Sequence, residues 1–95
     1  MENDVFINQQ KMLLENGNQV SLNYYVTSKA SLEDYMVYGI KVEKQGEKLE
    51  AEMTGPISGS QDWVLELCKK IADHKVTPIG LINIVDDMVT ESLRM

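Results

Sequence analysis

Cys68 and His74 are the residues best equipped for chemistry here, being the one cysteine and the one histidine of the chain. A thiolate and an imidazole can share a zinc ion, and a thiol beside an imidazole can act as a nucleophile. Both fall in one helical stretch, however, and at 3.6 residues per turn their separation leaves them about 120° apart on the helix wheel. They therefore point away from a shared ion. With no base placed beside it, Cys68 reads as a small buried apolar residue. His74 reads as a helix-terminal histidine that meets the last carbonyls and the negative end of the helix dipole. Asp86, Asp87 and Glu91 supply carboxylates, and Asp87 and Glu91 share a face at i,i+4. A magnesium or calcium site needs more oxygen ligands, so a solvated face is the simpler reading. Gly55-Pro56-Ile57-Ser58-Gly59 precedes a helix but lacks the lysine and the spacing of a phosphate loop, leaving at most weak anion binding at the helix start. The residues thus predict no catalytic centre, no metal and no cofactor, and a chain that is not an enzyme.

Composition narrows the partners. Nine Lys and Arg stand against fifteen Asp and Glu, for a net charge of -6, and Arg94 is the one arginine. Binding phosphates requires clustered cations, so direct nucleic-acid and anionic-membrane contacts are disfavoured. Two helices joined by a short turn suggest helix-turn-helix binding, but Asp87 and Glu91 would then face phosphate, which is the wrong sign. A single cysteine rules out an internal disulfide framework and favours a reducing, cytoplasmic setting. The acidic start Met-Glu-Asn-Asp, and the lack of any apolar run near 18 residues, argue against a signal peptide and a membrane span.

The elements that would position these residues follow from periodicity. Val5 to Leu14 carries a weak strand pattern interrupted by Asn8-Gln9-Gln10-Lys11. Glu15-Asn16-Gly17-Asn18 predicts a type I′ hairpin, since Asn and Gly accept positive φ. Val20, Leu22, Tyr24 and Val26 alternate with polar residues, the mark of a half-buried strand. Ser28 to Asp34 reads as a connection. Tyr35 to Lys44 then alternates again, with Met36, Tyr38, Ile40 and Val42 on one side and Tyr35, Val37, Gly39 and Lys41 on the other. After Gln45-Gly46, Leu49, Ala51 and Met53 return the chain as an edge strand whose outward row, Lys48, Glu50 and Glu52, is charged. Ser58 or Ser60 caps a helix with an apolar stripe of Trp63, Val64, Leu67 and Ile71. Val76-Thr77-Pro78 restarts the helix: Thr77 is the N-cap, Pro78 the first helical residue, and Val76 is set to pack on Leu81. Leu81, Ile82, Val85, Met88, Val89 and Leu93 form its expected buried stripe, with Asn83, Asp87, Thr90, Glu91 and Arg94 facing water.

Strands followed by helices predict one α+β domain over residues 1–95: a three- to four-stranded antiparallel meander with strands within about 5–54, then helices near 60–75 and 78–93 packed on one face. The expected core is led by Leu22, Tyr24, Met36, Tyr38, Ile40, Val42, Trp63, Leu67, Ile71, Leu81 and Val85.

Tyr24-Tyr25-Val26, Tyr38-Gly39-Ile40-Lys41-Val42-Glu43, and the Val76-Thr77-Pro78 helix start with Leu81 and Ile84-Val85-Asp86-Asp87 together resemble DUF6514, a family of small uncharacterised Firmicutes proteins. The resemblance spans about Leu22 to Leu93. It implies a small bacterial cytosolic protein and carries over no catalytic residue. Gly80 and Ile82-Asn83 depart from the pattern, where more polar residues are expected, so no partner surface is carried onto the second helix.

The sharpest functional hint is the far side of the sheet. Tyr25, Tyr35 and Val37 face away from the expected helices, and aromatic residues on an uncovered face are typical of an interface. The leading expectation is a non-enzymatic, cytosolic protein-binding or regulatory module of unidentified partner, with a homodimer through this face as one form. The alternative is an acidic inhibitor that blocks the basic groove of a nucleic-acid-processing protein with Glu43, Glu47, Glu50 and Glu52.

Overall fold

Turn chemistry sets the architecture. In the computed structural model, which describes residues 3–92, strands β1 (Asn3–Leu13), β2 (Gln19–Ala30), β3 (Met36–Gln45) and β4 (Leu49–Met53) are followed by helix α1 (Gln61–Asp73), a 3-10 turn (Pro78–Gly80) and helix α2 (Leu81–Ser92). Each strand pairs antiparallel with the next, giving one four-stranded open sheet in the order β1-β2-β3-β4 and an α+β fold.

The β1–β2 hairpin is not the expected type I′ turn. Gly17 N–H donates to Leu14 carbonyl (3.0 Å), Leu14 N–H donates to Asn18 carbonyl (2.8 Å), and Gly17 takes φ 85°. That is a three-residue loop ending in a left-handed residue. The same pattern recurs between β2 and β3, where Asp34 N–H donates to Ser31 carbonyl (3.2 Å), Ser31 N–H donates to Tyr35 carbonyl (2.8 Å), and Asp34 takes φ 65°. Because this second loop is so short, Ser28 to Ala30 belongs to β2 and not to a connection.

β1 is irregular in register: Phe6 opposes Tyr25 and Asn8 opposes Tyr24, leaving Ile7 as the extra residue of a bulge. The bulge switches which residues of β1 face the helices, which is why the alternation of apolar residues breaks there.

Both helices cover the same side. Leu22, Tyr24, Val26, Ile40 and Val42 meet Val64, Leu67, Cys68, Ile71 and Ala72 of α1 and Leu81 and Val85 of the second helical segment in one buried cluster. α1 is capped by Ser60, whose hydroxyl accepts from Trp63 N–H (3.3 Å). It ends with Lys75 N–H on Ala72 carbonyl and Val76 N–H on Ile71 carbonyl. This is a Schellman stop with Lys75 left-handed at φ 52° and Val76 turned into the core.

Several expectations need correction. Thr77 has the extended backbone of an N-cap, but its side chain makes no capping bond, because the chain enters a 3-10 turn at Pro78 before the α-helix begins. The buried stripe of α2 runs Leu81, Ile84, Val85, Met88 and Val89, the i, i+3, i+4, i+7, i+8 spacing. Ile82 lies off it and is 47% exposed. Leu93 and Arg94 fall outside the described residues. Met36 opens β3 at the hairpin end and is exposed, while Tyr38 and Trp63 are partly buried at the margin of the core.

β4 also differs. Its register sets Glu50 opposite Lys44 and Glu52 opposite Val42, on the helix side, and Leu49, Ala51 and Met53 opposite Gln45, Glu43 and Lys41, on the open side. All five residues are exposed, since neither helix covers this strand closely enough to bury it.

Candidate interaction surface

Pleating assigns the open side of the sheet residue by residue. Tyr25, Thr27 and Lys29 of β2 pair with Lys41, Gly39 and Val37 of β3, and all lie opposite the core row Tyr24, Val26 and Ile40. On β1 the residue ahead of the bulge, Phe6, lands beside Tyr25, while Ile7 packs against the core.

A cluster forms at the centre of this face. The rings of Phe6 and Tyr25 meet edge to face, 5.7 Å between centroids at 77°. The Lys41 ammonium sits 5.2 Å from the centre of the Tyr25 ring, 3.1 Å from Asp4 and 3.9 Å from Glu43. Aromatic edge-to-face and cation–π contacts each contribute about 0.5–1 kcal/mol at exposed sites. The neighbouring Glu43 carboxylate holds the Tyr25 phenol above its ordinary pKa, with burial and the charge of Asp4 acting the same way. The result is an aromatic pair flanked by charges of both signs on an uncovered face.

The residues singled out from the sequence are dispersed around this cluster. Tyr25 is at its centre. Val37 lies on the same face two rows away, beyond Thr27 and Gly39, beside a shallow depression shared with Lys29, Met53 and Pro56. Tyr35 is 53% exposed in the β2–β3 turn, ahead of the start of β3. Asp4, Phe6 and Lys41 are members of the cluster that sequence reasoning misses. Lys41 is legible as the pleat partner of Tyr25, but the placement of Phe6 depends on the bulge.

The four acidic residues do not share one surface. Glu43 faces the open side, Glu50 and Glu52 the helix side, and Glu47 lies in the β3–β4 turn. Glu50 pairs with Lys44 across the strands at 3.7 Å.

Gly39 is required by a close approach. A Cβ there would stand 2.9 Å from the Gly55 carbonyl oxygen, 2.9 Å from Thr54 Oγ1 and 3.0 Å from Thr27 Oγ1. The chain leaving β4 closes over this point: Thr54 N–H donates to Ile40 carbonyl, Ile40 N–H donates to Thr54 Oγ1, and Tyr38 then pairs with Ser58.

The remaining chemistry-bearing residues stay apart. Cys68 is wholly buried, and burial pushes its thiol up to about 12. His74 is exposed at the end of α1. Asp86, Asp87 and Glu91 lie exposed on α2. Among the described residues no three His, Cys, Asp or Glu side chains group as they would around a metal ion. The start of α1 is occupied by its own serines, with Ser60 N–H donating to Ser58 Oγ at 3.0 Å. Among the described residues, no helix is long and apolar enough to cross a membrane.

The family model of DUF6514, a family of unknown function, matches residues 3–91. No curated protein and no solved structure matches the chain.

Proposed function

We propose that this chain, which belongs to the DUF6514 family, is a small non-enzymatic protein-binding module of the cytoplasm that works through the open face of its sheet. The observation that carries the reading is the Phe6–Tyr25–Lys41 cluster, an ordered aromatic centre on a face that neither helix covers. Exposed Leu13, Leu49 and Met53 extend its apolar area, with Val37 behind them. Rigid aromatic and cationic anchors ringed by adaptable polar groups are what binding hot spots are made of. The single cysteine, buried and free, suits a reducing compartment.

Charge favours a second copy of the chain as the occupant. Among the described residues the open face carries Lys11, Lys29 and Lys41 against Asp4 and Glu43, so this part of it is close to neutral although the whole chain is at -6. Two such faces meet across a two-fold axis without the repulsion that would oppose contact elsewhere. Sedimentation over a concentration series tests this. A dimer is expected, weakened about tenfold or more by Phe6→Ser or Tyr25→Ser, with the melting temperature of each variant as the control. A wild-type chain that stays monomeric at the highest concentration reached defeats the dimer, and unchanged partner capture by Tyr25→Ser and Tyr35→Ser defeats the open-face reading altogether.

The acidic-inhibitor reading has less support, because Glu43 sits beside Lys41 and faces away from Glu50 and Glu52. Its test is the steep loss of affinity for a basic partner as salt rises.

A further inference from the structure

We infer that the free edge of β4 accepts an extended segment of a partner protein in which basic residues alternate with apolar ones, adding a fifth strand to the sheet. β4 is a terminal strand, and its register with β3 runs without a bulge from Leu49 to Met53. Thr54 N–H bonds inward to Ile40 carbonyl at 2.9 Å. Antiparallel pairs alternate between bonded and non-bonded, so Glu52 and Glu50 also bond inward, and the N–H and C=O groups of Leu49, Ala51 and Met53 point outward. The Met53 N–H agrees with this, since its acceptor is the side chain of the adjacent Glu52, at 3.2 Å. That carboxylate stands in for the carbonyl of a further strand.

The other edge is less suited. β1 is broken by the bulge at Ile7, which is a means of protecting an edge, and its Gln9 N–H is held by Asn8 at 2.8 Å.

Side chains define the occupant. A strand laid along β4 projects alternate residues to the helix side, beside Glu50 and Glu52, and to the open side, beside Leu49, Ala51 and Met53. Glu50 keeps 47% of its side chain exposed despite Lys44, while Glu47 and Lys48 offset each other at the turn. Lysine or arginine on one side and valine-like residues on the other satisfy both rows. A second copy of β4 paired about Ala51 does not: it sets Glu50 against Glu52 of the other chain, like charge facing like charge. Pairing about Ala51 is thus disfavoured for a second copy and favourable for a basic strand, which would meet the outward backbone groups of β4 and not the aromatic centre of the open face.

The probe is a blocked, fluorescently labelled peptide alternating lysine and valine, titrated by anisotropy, with amide exchange read by NMR. Saturable binding and slowed exchange of the Leu49, Ala51 and Met53 amides are expected. Glu50→Lys/Glu52→Lys should weaken the lysine peptide about tenfold or more and create binding to a glutamate–valine peptide. N-methylation of the peptide at the residues facing β4 should abolish binding, while methylation at the intervening residues should not. Binding that ignores the methylation pattern, that survives the charge reversal, or that protects only open-face amides overturns the proposal, as does no binding at all. Tyr25→Ser should leave the peptide affinity unchanged, which separates this edge from the dimer face.

Discussion

The Tyr24 hydroxyl donates to the Val76 carbonyl at 2.9 Å, joining the middle of the sheet to the turn between the two helices across 52 residues of sequence. Both ends are buried: Tyr24 is wholly covered, and Val76 lies in the same core cluster. Tyr24→Phe removes the donor and leaves the carbonyl without a partner, at a cost of about 1–3 kcal/mol. Urea denaturation should show a lower midpoint with an unchanged slope. A neutral outcome would mean that the helix joint is held by packing alone.

The same tyrosine gives the fold an alkaline limit. Burial, reinforced by Cys68, raises Tyr24 from 10.0 to about 12, and burial raises Cys68 from 9.0 to about 12. The folded chain keeps both protons in a range where the unfolded chain releases them, so their contribution is complete below pH 9 and is lost as pH climbs toward 12. Each group steepens the decline by up to about 1.4 kcal/mol per pH unit while the two states differ by one proton. Denaturation midpoints measured from about pH 8 to about 11.5 should fall, beginning near 9. Cys68→Ala should move the onset to near 10, whatever its cost at neutral pH. Cys68 should also resist thiol reagents until the chain unfolds.

Gly39 and Gly80 should respond in opposite directions to the same substitution. Gly39→Ala drives a methyl group into the Gly55 carbonyl and the hydroxyls of Thr54 and Thr27, and overpacking of this kind costs about 1–3 kcal/mol. A Cβ added at Gly80 would meet nothing within 4 Å, and the residue lies at the junction of the 3-10 turn and α2. Gly80→Ala should stabilise by up to about 1 kcal/mol through helix propensity. Thermal melts of the two variants decide the matter.

Legibility from the sequence follows the range of the interactions involved. The strands Val20–Val26 and Met36–Val42 and both helices are carried by periodicity, and the pleat alone puts Tyr25 and Val37 on the open side. Three features depend on contacts between distant residues. The bulge at Ile7 follows from β1 pairing with β2, and it brings Phe6 beside Tyr25. The orientation of β4 follows from its register on β3, so its apolar row turns to the open side although alternation alone would send it to the core. Ile82 and Ile84 both fit a broad stripe, and only the angle at which α2 docks selects Ile84.

Two left-handed residues supply the last prediction. Lys75 at φ 52° ends α1 and Asp34 at φ 65° closes the β2–β3 loop, each in a region where a Cβ crowds the backbone. The cost is roughly 1–2 kcal/mol for an ordinary side chain and smaller for Asp, whose short polar group tolerates this conformation. Glycine removes that strain but makes the unfolded chain more flexible, which returns part of the gain. Lys75→Gly should therefore stabilise the fold by about 0.5–1 kcal/mol, and Asp34→Gly by a few tenths at most. The β1–β2 loop already has Gly17 at the equivalent position, with φ 85° and nothing within 4 Å of an added Cβ. Gly17→Ala should consequently destabilise, although it clashes with nothing. If all three variants melt at the wild-type temperature, backbone strain plays no part in where these turns are placed.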